Sequence, residues 1–196
     1  MTTKRELNAQ AHRQAILAAA ATQFKQAGVQ ATSIAQVAKL AAVSTRTLYK
    51  YFPNKNELAH AVYLQDIDDG IATNQAILTD STLDFKAKLT KMMQTQMALS
   101  QQLHPDYIRY AADDFQGKTG HPETAPDYLA QLETFWTALI TAGIQAGAIS
   151  DKRSPAALRI YIQAFFNLGQ QTITDPAVLK DLTDLFFNGL TGQVDA

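Results

Sequence analysis

Apolar residues recur at intervals of three and four along almost the whole chain, and short polar or Gly/Pro-rich breaks divide them into segments. That spacing is the signature of helices with one buried face. Ile16, Ala20 and Phe24, with Leu17 beside them, predict a first helix over residues 3–26, with Gly28 placed to end it as a left-handed C-cap. Ile34, Val37, Ala38 and Ala41 predict a short second helix, opened by a capping box of Ser33 and Gln36. Ala42-Val43-Ser44 reads as a turn, and Ser44 caps a third short helix whose Leu48 and Phe52 share one face. Pro53 pushes Phe52 out of helical geometry and stops this segment. Asn54 and Glu57 then open a long helix to about residue 78, carrying Leu58, Val62, Leu64, Ile67, Ile71 and Leu78. Gly70 lies in its middle, where glycine costs about 1 kcal/mol relative to alanine, so a close helix crossing or a bend is expected there.

Beyond a break at Thr79-Asp80-Ser81, where Ser81 with Asp84 restarts the helical pattern, residues 83–102 carry Phe85, Leu89, Met92, Met93, Met97 and Leu99. A shorter segment over 105–116 carries Tyr107, Ile108, Tyr110, Ala111 and Phe115. Residues 116–122, with two glycines and a proline, form the clearest loop. Residues 126–146, 154–172 and 176–190 complete the series, two of them opened by Pro155 and Pro176. No stretch alternates with the period of a strand. The expected fold is all-α, with about nine helices.

The third short helix is too short to hold a core of its own. Its outward positions, Thr45, Arg46, Thr47, Tyr49, Lys50 and Tyr51, are hydroxylated, basic or aromatic. Such a face suits the major groove of DNA. Arg46 offers paired donors to a guanine edge, and the two threonines suit base edges or a thymine methyl. Tyr49, Lys50, Tyr51 and the following Lys55 suit phosphates, which position a helix without reading sequence. The amides at the Ser33 helix start add a phosphate site. Lys4, Arg5 and Arg13 are further candidates for phosphate contact near the N-terminus.

Charge sharpens this picture. Residues 1–58 hold eight Lys/Arg against two acids, a balance of +6, whereas the remainder holds nine against sixteen, −7, so the whole chain carries only −1. A basic end on an acidic body fits a protein that lays one end on a polyanion. The chain has 196 residues, 46% hydrophobic, and no cysteine, so neither a disulfide framework nor a thiolate metal site is expected. The N-terminus lacks a signal-peptide pattern, and no apolar run approaches a bilayer-spanning length; a cytoplasmic protein with no membrane partner is expected.

Thr-Ser-Ile, Val-Ala, Ala-Val-Ser, Thr-Leu-Tyr, Tyr-Phe and Asn-Lys, at their spacing between Thr32 and Lys55, resemble the N-terminal domain of the TetR family of transcriptional regulators. The resemblance covers roughly residues 10–60. That family usually has glycine where this chain has Ala42, which implies a turn residue that need not have positive φ. The resemblance further implies a three-helix helix-turn-helix domain over residues 1–53, joined to a helical ligand-binding and dimerisation domain over 54–196. The helix that begins at Lys55 would link the two. It also implies a dimer interface on the last two helices, with Leu158, Ile162, Phe166, Gly169, Leu179, Leu182 and Phe186 as candidate members. From the residues alone, that apolar pair could equally close the core of one chain.

Methionines suit surfaces that accept varied partners, although methionine at helical spacing is also ordinary gap-filling core. The candidate lining of a ligand pocket is Phe85, Met92, Met93, Met97, Tyr107, Tyr110, Trp136 and Phe165. His12, His60, His104 and His121 look isolated, with no metal-ligand spacing, and Asp113-Asp114 read as a solvated face. No catalytic constellation, cofactor site or metal site is expected, so the chain is not read as an enzyme. The expectation is a homodimeric regulator that binds a palindromic operator in double-stranded DNA. It would be a repressor released by a small, largely apolar effector. The alternative is a small-molecule-binding helical protein without specific DNA binding.

Overall fold

In the computed structural model the described residues are 3–122, 124–168 and 175–191. Nine α-helices occur among them: α1 (Lys4–Ala27), α2 (Ile34–Leu40), α3 (Thr45–Tyr51), α4 (Lys55–Thr79), α5 (Phe85–Ser100), α6 (Pro105–Phe115), α7 (Thr124–Gln145), α8 (Pro155–Leu168) and α9 (Pro176–Thr191). The fold is therefore all-α over these residues, as the apolar spacing predicts. None of these helices is long and apolar enough to cross a membrane.

The chain divides into two compact units. One takes in the chain to Gly70 together with Gln102–Asp127, and the other Ile71–Gln101 with the chain from Tyr128 onward. The packing thus does not follow the 53/54 boundary expected from the sequence. The first half of α4 and all of α6 belong with the N-terminal helices. The reason is chemical as well as apolar. Asp66 on α4 accepts from Lys25 Nζ of α1 at 2.6 Å and from the Tyr107 hydroxyl of α6 at 2.6 Å. Asp106, in the first turn of α6, accepts the Gln30 backbone N–H at 2.9 Å, and the His104 N–H donates to the Lys25 carbonyl at 2.7 Å.

The core of the first unit is built from Ile16, Leu17, Ala20 and Phe24 of α1, Val37 and Ala38 of α2, Leu48 and Phe52 around α3, Leu58, Ala59 and Val62 of α4, and Tyr107 of α6. The core of the second unit centres on Phe85, Leu89, Met92, Phe135, Trp136, Leu139, Ile140, Leu158, Ile162, Phe186 and Leu190.

Several local expectations change. Gly28 caps α1 but with φ 85° and ψ 160°, a positive-φ extended conformation rather than a left-handed helical one. Ser33 is the N-cap of α2 yet makes no side-chain cap hydrogen bond, so the Ser33/Gln36 capping box does not form. Asp84 itself caps α5 by accepting from the Ala87 N–H at 2.7 Å. At Gly70 an added Cβ would meet nothing within 4 Å, so close packing does not explain this glycine. The segment expected to continue to residue 172 passes beyond Leu168 into residues outside the described set.

Candidate nucleic-acid interface

The α2–α3 hairpin is fixed by its turn. After α2, the Ala42 N–H donates to the Lys39 carbonyl at 3.2 Å and the Val43 N–H to the Ala38 carbonyl at 3.0 Å. These paired bonds close the helix end with the residue between in the left-handed region. Ala42 takes that place with φ 53° and is the one non-glycine residue with positive φ among those described. The absence of glycine at this position left the sign of φ open, and the structure makes it positive. The two terminal bonds, together with burial of Ala41 and half-burial of Val43 on either side, hold alanine where glycine is more comfortable.

Ser44 then starts α3. Its hydroxyl accepts from the Thr47 N–H at 3.0 Å and lies 2.8 Å from the Thr47 hydroxyl. Leu48, fully buried, and Phe52, extended before Pro53, anchor the inner side of α3 to α1. Thr45, Arg46, Tyr49 and Lys50 remain exposed on the outer side. A seven-residue helix is about 10 Å long, which suits a major groove about 12 Å wide.

The other candidates divide. Ser33 is exposed at the start of α2. Thr47 is half-buried by its bond to Ser44, and Tyr51 packs partly against the core. Lys55 is turned inward, its ammonium donating to the carbonyls of Gln30 at 2.8 Å and Thr32 at 3.4 Å, so it secures the α1–α2 connection. The Arg13 guanidinium lies over the Phe52 ring, 5.4 Å from its centroid.

The candidate ligand-pocket residues divide between the two units. Tyr107 and Tyr110 belong to the first unit, where their hydroxyls serve Asp66 and Asn56. Burial and the neighbouring Asp66 push the Tyr107 phenol well above its ordinary pKa. In the second unit Phe85, Met92 and Trp136 are buried core, Met93 and Phe165 pack against it, and Met97 is half-exposed. A cavity of about 350 Å³ does occur in this unit. It is lined by Trp136, Thr137, Ile140, Thr141 and Ile144 of α7 with Pro155, Ala156 and Arg159 of α8, and the Arg159–Glu133 ion pair (2.8 Å) stands at its edge. Sequence spacing shows which residues share a helix face but not which helix covers that face, so only Trp136 was among the candidates.

The dimer candidates also need correction. Leu158, Ile162 and Phe186 are buried in the core of their own unit, and Leu182 is half-buried. Among the described residues, the large apolar side chains that α8 and α9 leave exposed are Ile160, Val178 and Leu185. Gly169 lies outside the described residues, and nothing is described for the side chains of Phe166 and Leu179. Nor are His60 and His121 isolated or Asp114 solvated. His60 and His121 stack with ring centroids 3.6 Å apart, and Asp114 is fully buried beside them. They stand far apart in sequence, and no local spacing signals them.

A three-helix core presenting α3 across a tight left-handed turn from α2 defines a helix-turn-helix unit. The family model of bacterial regulatory proteins of the tetR family matches residues 16–62 of this chain. The HTH-type transcriptional regulator RutR of Escherichia coli (strain K12) is 40% identical over 79 residues, covering 40% of this chain and 37% of RutR. The similarity therefore spans little more than a third of that curated relative. Solved structures share the fold across nearly the whole chain. A TetR transcription regulatory protein from Mycobacterium vanbaalenii aligns over 94% of this chain and 97% of its own, with TM-score 0.64 and 19% identity. A TetR transcriptional regulator from Streptomyces coelicolor aligns over 91% and 97%, with TM-score 0.61 and 22% identity.

Proposed function

We propose that this chain is a sequence-specific DNA-binding transcription regulator, acting by binding rather than by catalysis. The observation that carries the proposal is the exposed face of α3, Thr45, Arg46, Tyr49 and Lys50, held on a packed core by Leu48 and Phe52. Arg46 is assigned to a base edge, and Tyr49 and Lys50 to phosphates or the groove wall. Lys55 supports the interface indirectly by holding the Gln30 and Thr32 carbonyls.

The chain acts as a homodimer in this account, because one short helix reads too few base pairs for useful specificity. Two copies would place their α3 helices in successive major grooves about 34–36 Å apart on a palindromic operator. Ile160, Val178 and Leu185, exposed on α8 and α9, support a self-association surface there. The cavity beside Trp136 lies in the size range of small-molecule sites, which supports an effector that is largely apolar with a polar group facing Arg159. Effector binding relieves repression only if it favours the DNA-free conformation over the bound one.

The test is selection of bound sequences from random duplex DNA by the purified full chain, at low and at moderate salt. A palindrome recovered at moderate salt is expected. Recovery of unrelated sequences at low salt alone would mean contact with the phosphate backbone without sequence reading. It would favour a small-molecule-binding helical protein instead.

A further inference from the structure

Three separate parts of the first unit bring two imidazoles and a carboxylate together: His60 in the second turn of α4, Asp114 near the end of α6, and His121 in the loop after it. Their ligand atoms all lie within 4.8 Å of one another. His60 Nδ1 is 2.8 Å from Asp114 Oδ2, and His121 Nδ1 is 3.5 Å from Asp114 Oδ1. We propose that His60, Asp114 and His121 form a binding site for a divalent first-row transition-metal ion of the zinc class. The proposal does not depend on the DNA-binding reading.

The donor chemistry fits. Imidazole nitrogens with one carboxylate oxygen suit Zn²⁺ and its neighbours better than the all-oxygen sets of Mg²⁺ or Ca²⁺. Donors bound to one ion at about 2.0–2.1 Å stand roughly 3.3 Å apart in a tetrahedron, and the separations from Asp114 bracket that value. Three protein ligands leave one position open for water or another small ligand.

The surroundings orient the set as outer-shell groups do. His121 Nε2 lies 3.3 Å from Glu57 Oε1; a proton donated there leaves Nδ1 as the ligand atom. Asp114 Oδ1 accepts from the hydroxyls of Thr119 and Tyr110. The loop is tied back to α4 by Asn56 Nδ2, which donates to the Thr119 carbonyl at 2.9 Å. Gly117 and Gly120, at φ 71° and 102°, give the loop the curvature that returns His121 to the helix. The two rings lie 7° from parallel, so entry of an ion turns them until both Nδ1 lone pairs converge.

The test is a Co²⁺ titration of the full chain, stripped beforehand with a chelator, followed by its visible ligand-field absorption and then by Zn²⁺ competition. One Co²⁺ per chain is expected, with intense bands of low coordination number that Zn²⁺ abolishes. His60→Gln and His121→Gln should each remove the bands and weaken binding by more than the roughly 10- to 100-fold that loss of an outer-shell partner costs. Glu57→Gln should keep the bands and weaken binding within that 10- to 100-fold range. Helical circular dichroism of the stripped variants confirms that they are folded, and the place of His121 in a loop rather than within a helix makes that variant the safer of the two. Absence of ligand-field bands in the unmodified chain would overturn the proposal. So would Co²⁺ binding of unchanged strength in the folded His60→Gln/His121→Gln double variant.

Discussion

In the first unit, buried and half-buried polar groups tie helices to one another. Asp66 joins α1 to α6, Asp106 holds the α1–α2 connection, Lys55 holds two of its carbonyls, and Asp114 gathers α4 and the loop after α6. In the second unit the helices meet mainly through apolar and aromatic surfaces. Phe186 stacks on Tyr161 at 5.7 Å and packs against Phe165 at 4.4 Å and Phe187 at 5.1 Å. Directional bonds admit few alternative arrangements, whereas apolar contacts tolerate repacking. A rigid frame suits a helix that must meet base edges in register. An adaptable core suits the effector binding and self-association proposed for this unit.

The largest expected effect lies in the apolar unit. Phe186→Ala removes the fully buried ring on which three aromatic contacts converge, and a loss of about 3–5 kcal/mol is expected in denaturant unfolding. A small shift would show that the second core collapses around the gap, which would sharpen the contrast in adaptability. Next comes the frame of the first unit. Gly28→Ala places a side chain at φ 85°, ψ 160°, where its Cβ would meet Asp106 and His104 at 2.8 Å. The backbone conformation alone costs about 1–3 kcal/mol, and the clash adds to it. A thermal midpoint unchanged from that of the parent chain would contradict the rigid-frame account.

A smaller, pH-dependent effect is expected at Asp106. The Gln30 N–H, with help from Arg109, holds its carboxyl below the ordinary carboxylate range. Its contribution to stability is therefore present above the unfolded value of about 3.9 and fades as pH falls through the lower folded value. Asp106→Ala should be less stable than the parent chain at neutral pH, with the gap narrowing in acid; a gap independent of pH would remove the charge from the explanation. The smallest effect has the opposite sign. Ala42→Gly relieves a left-handed alanine and should stabilise the first unit by about 1 kcal/mol. Destabilisation would mean that the turn gains more from restricting the unfolded chain than it loses in strain.

Most helices were legible because a buried face imposes its period on the sequence. Ile16, Ala20 and Phe24 mark α1, and all three are fully buried. The outward residues of α3 were legible for the complementary reason, since Leu48 and Phe52 fix which side turns inward. What remained hidden depends on partners distant in sequence. Leu158 and Ile162 have the right period for burial, but periodicity does not say whether the burying surface belongs to the same chain; it is the alternate residue, Ile160, that stays exposed. Tyr107 shares a face with Tyr110, and their hydroxyls are taken up by Asp66 and Asn56 of α4. His60, Asp114 and His121 become a group only when α4, α6 and the loop are packed together.

The most direct measurement is the base preference of Arg46→Ala, obtained by selection from random duplexes beside the parent chain. The exposed guanidinium of Arg46 on α3 is assigned to a guanine edge. The account predicts that one symmetry-related pair of positions in the recovered palindrome loses its guanine preference, while the remaining positions keep theirs. An unchanged preference at every position, with affinity lowered uniformly, would place Arg46 on the phosphate backbone and contradict the claim that this face of α3 reads sequence.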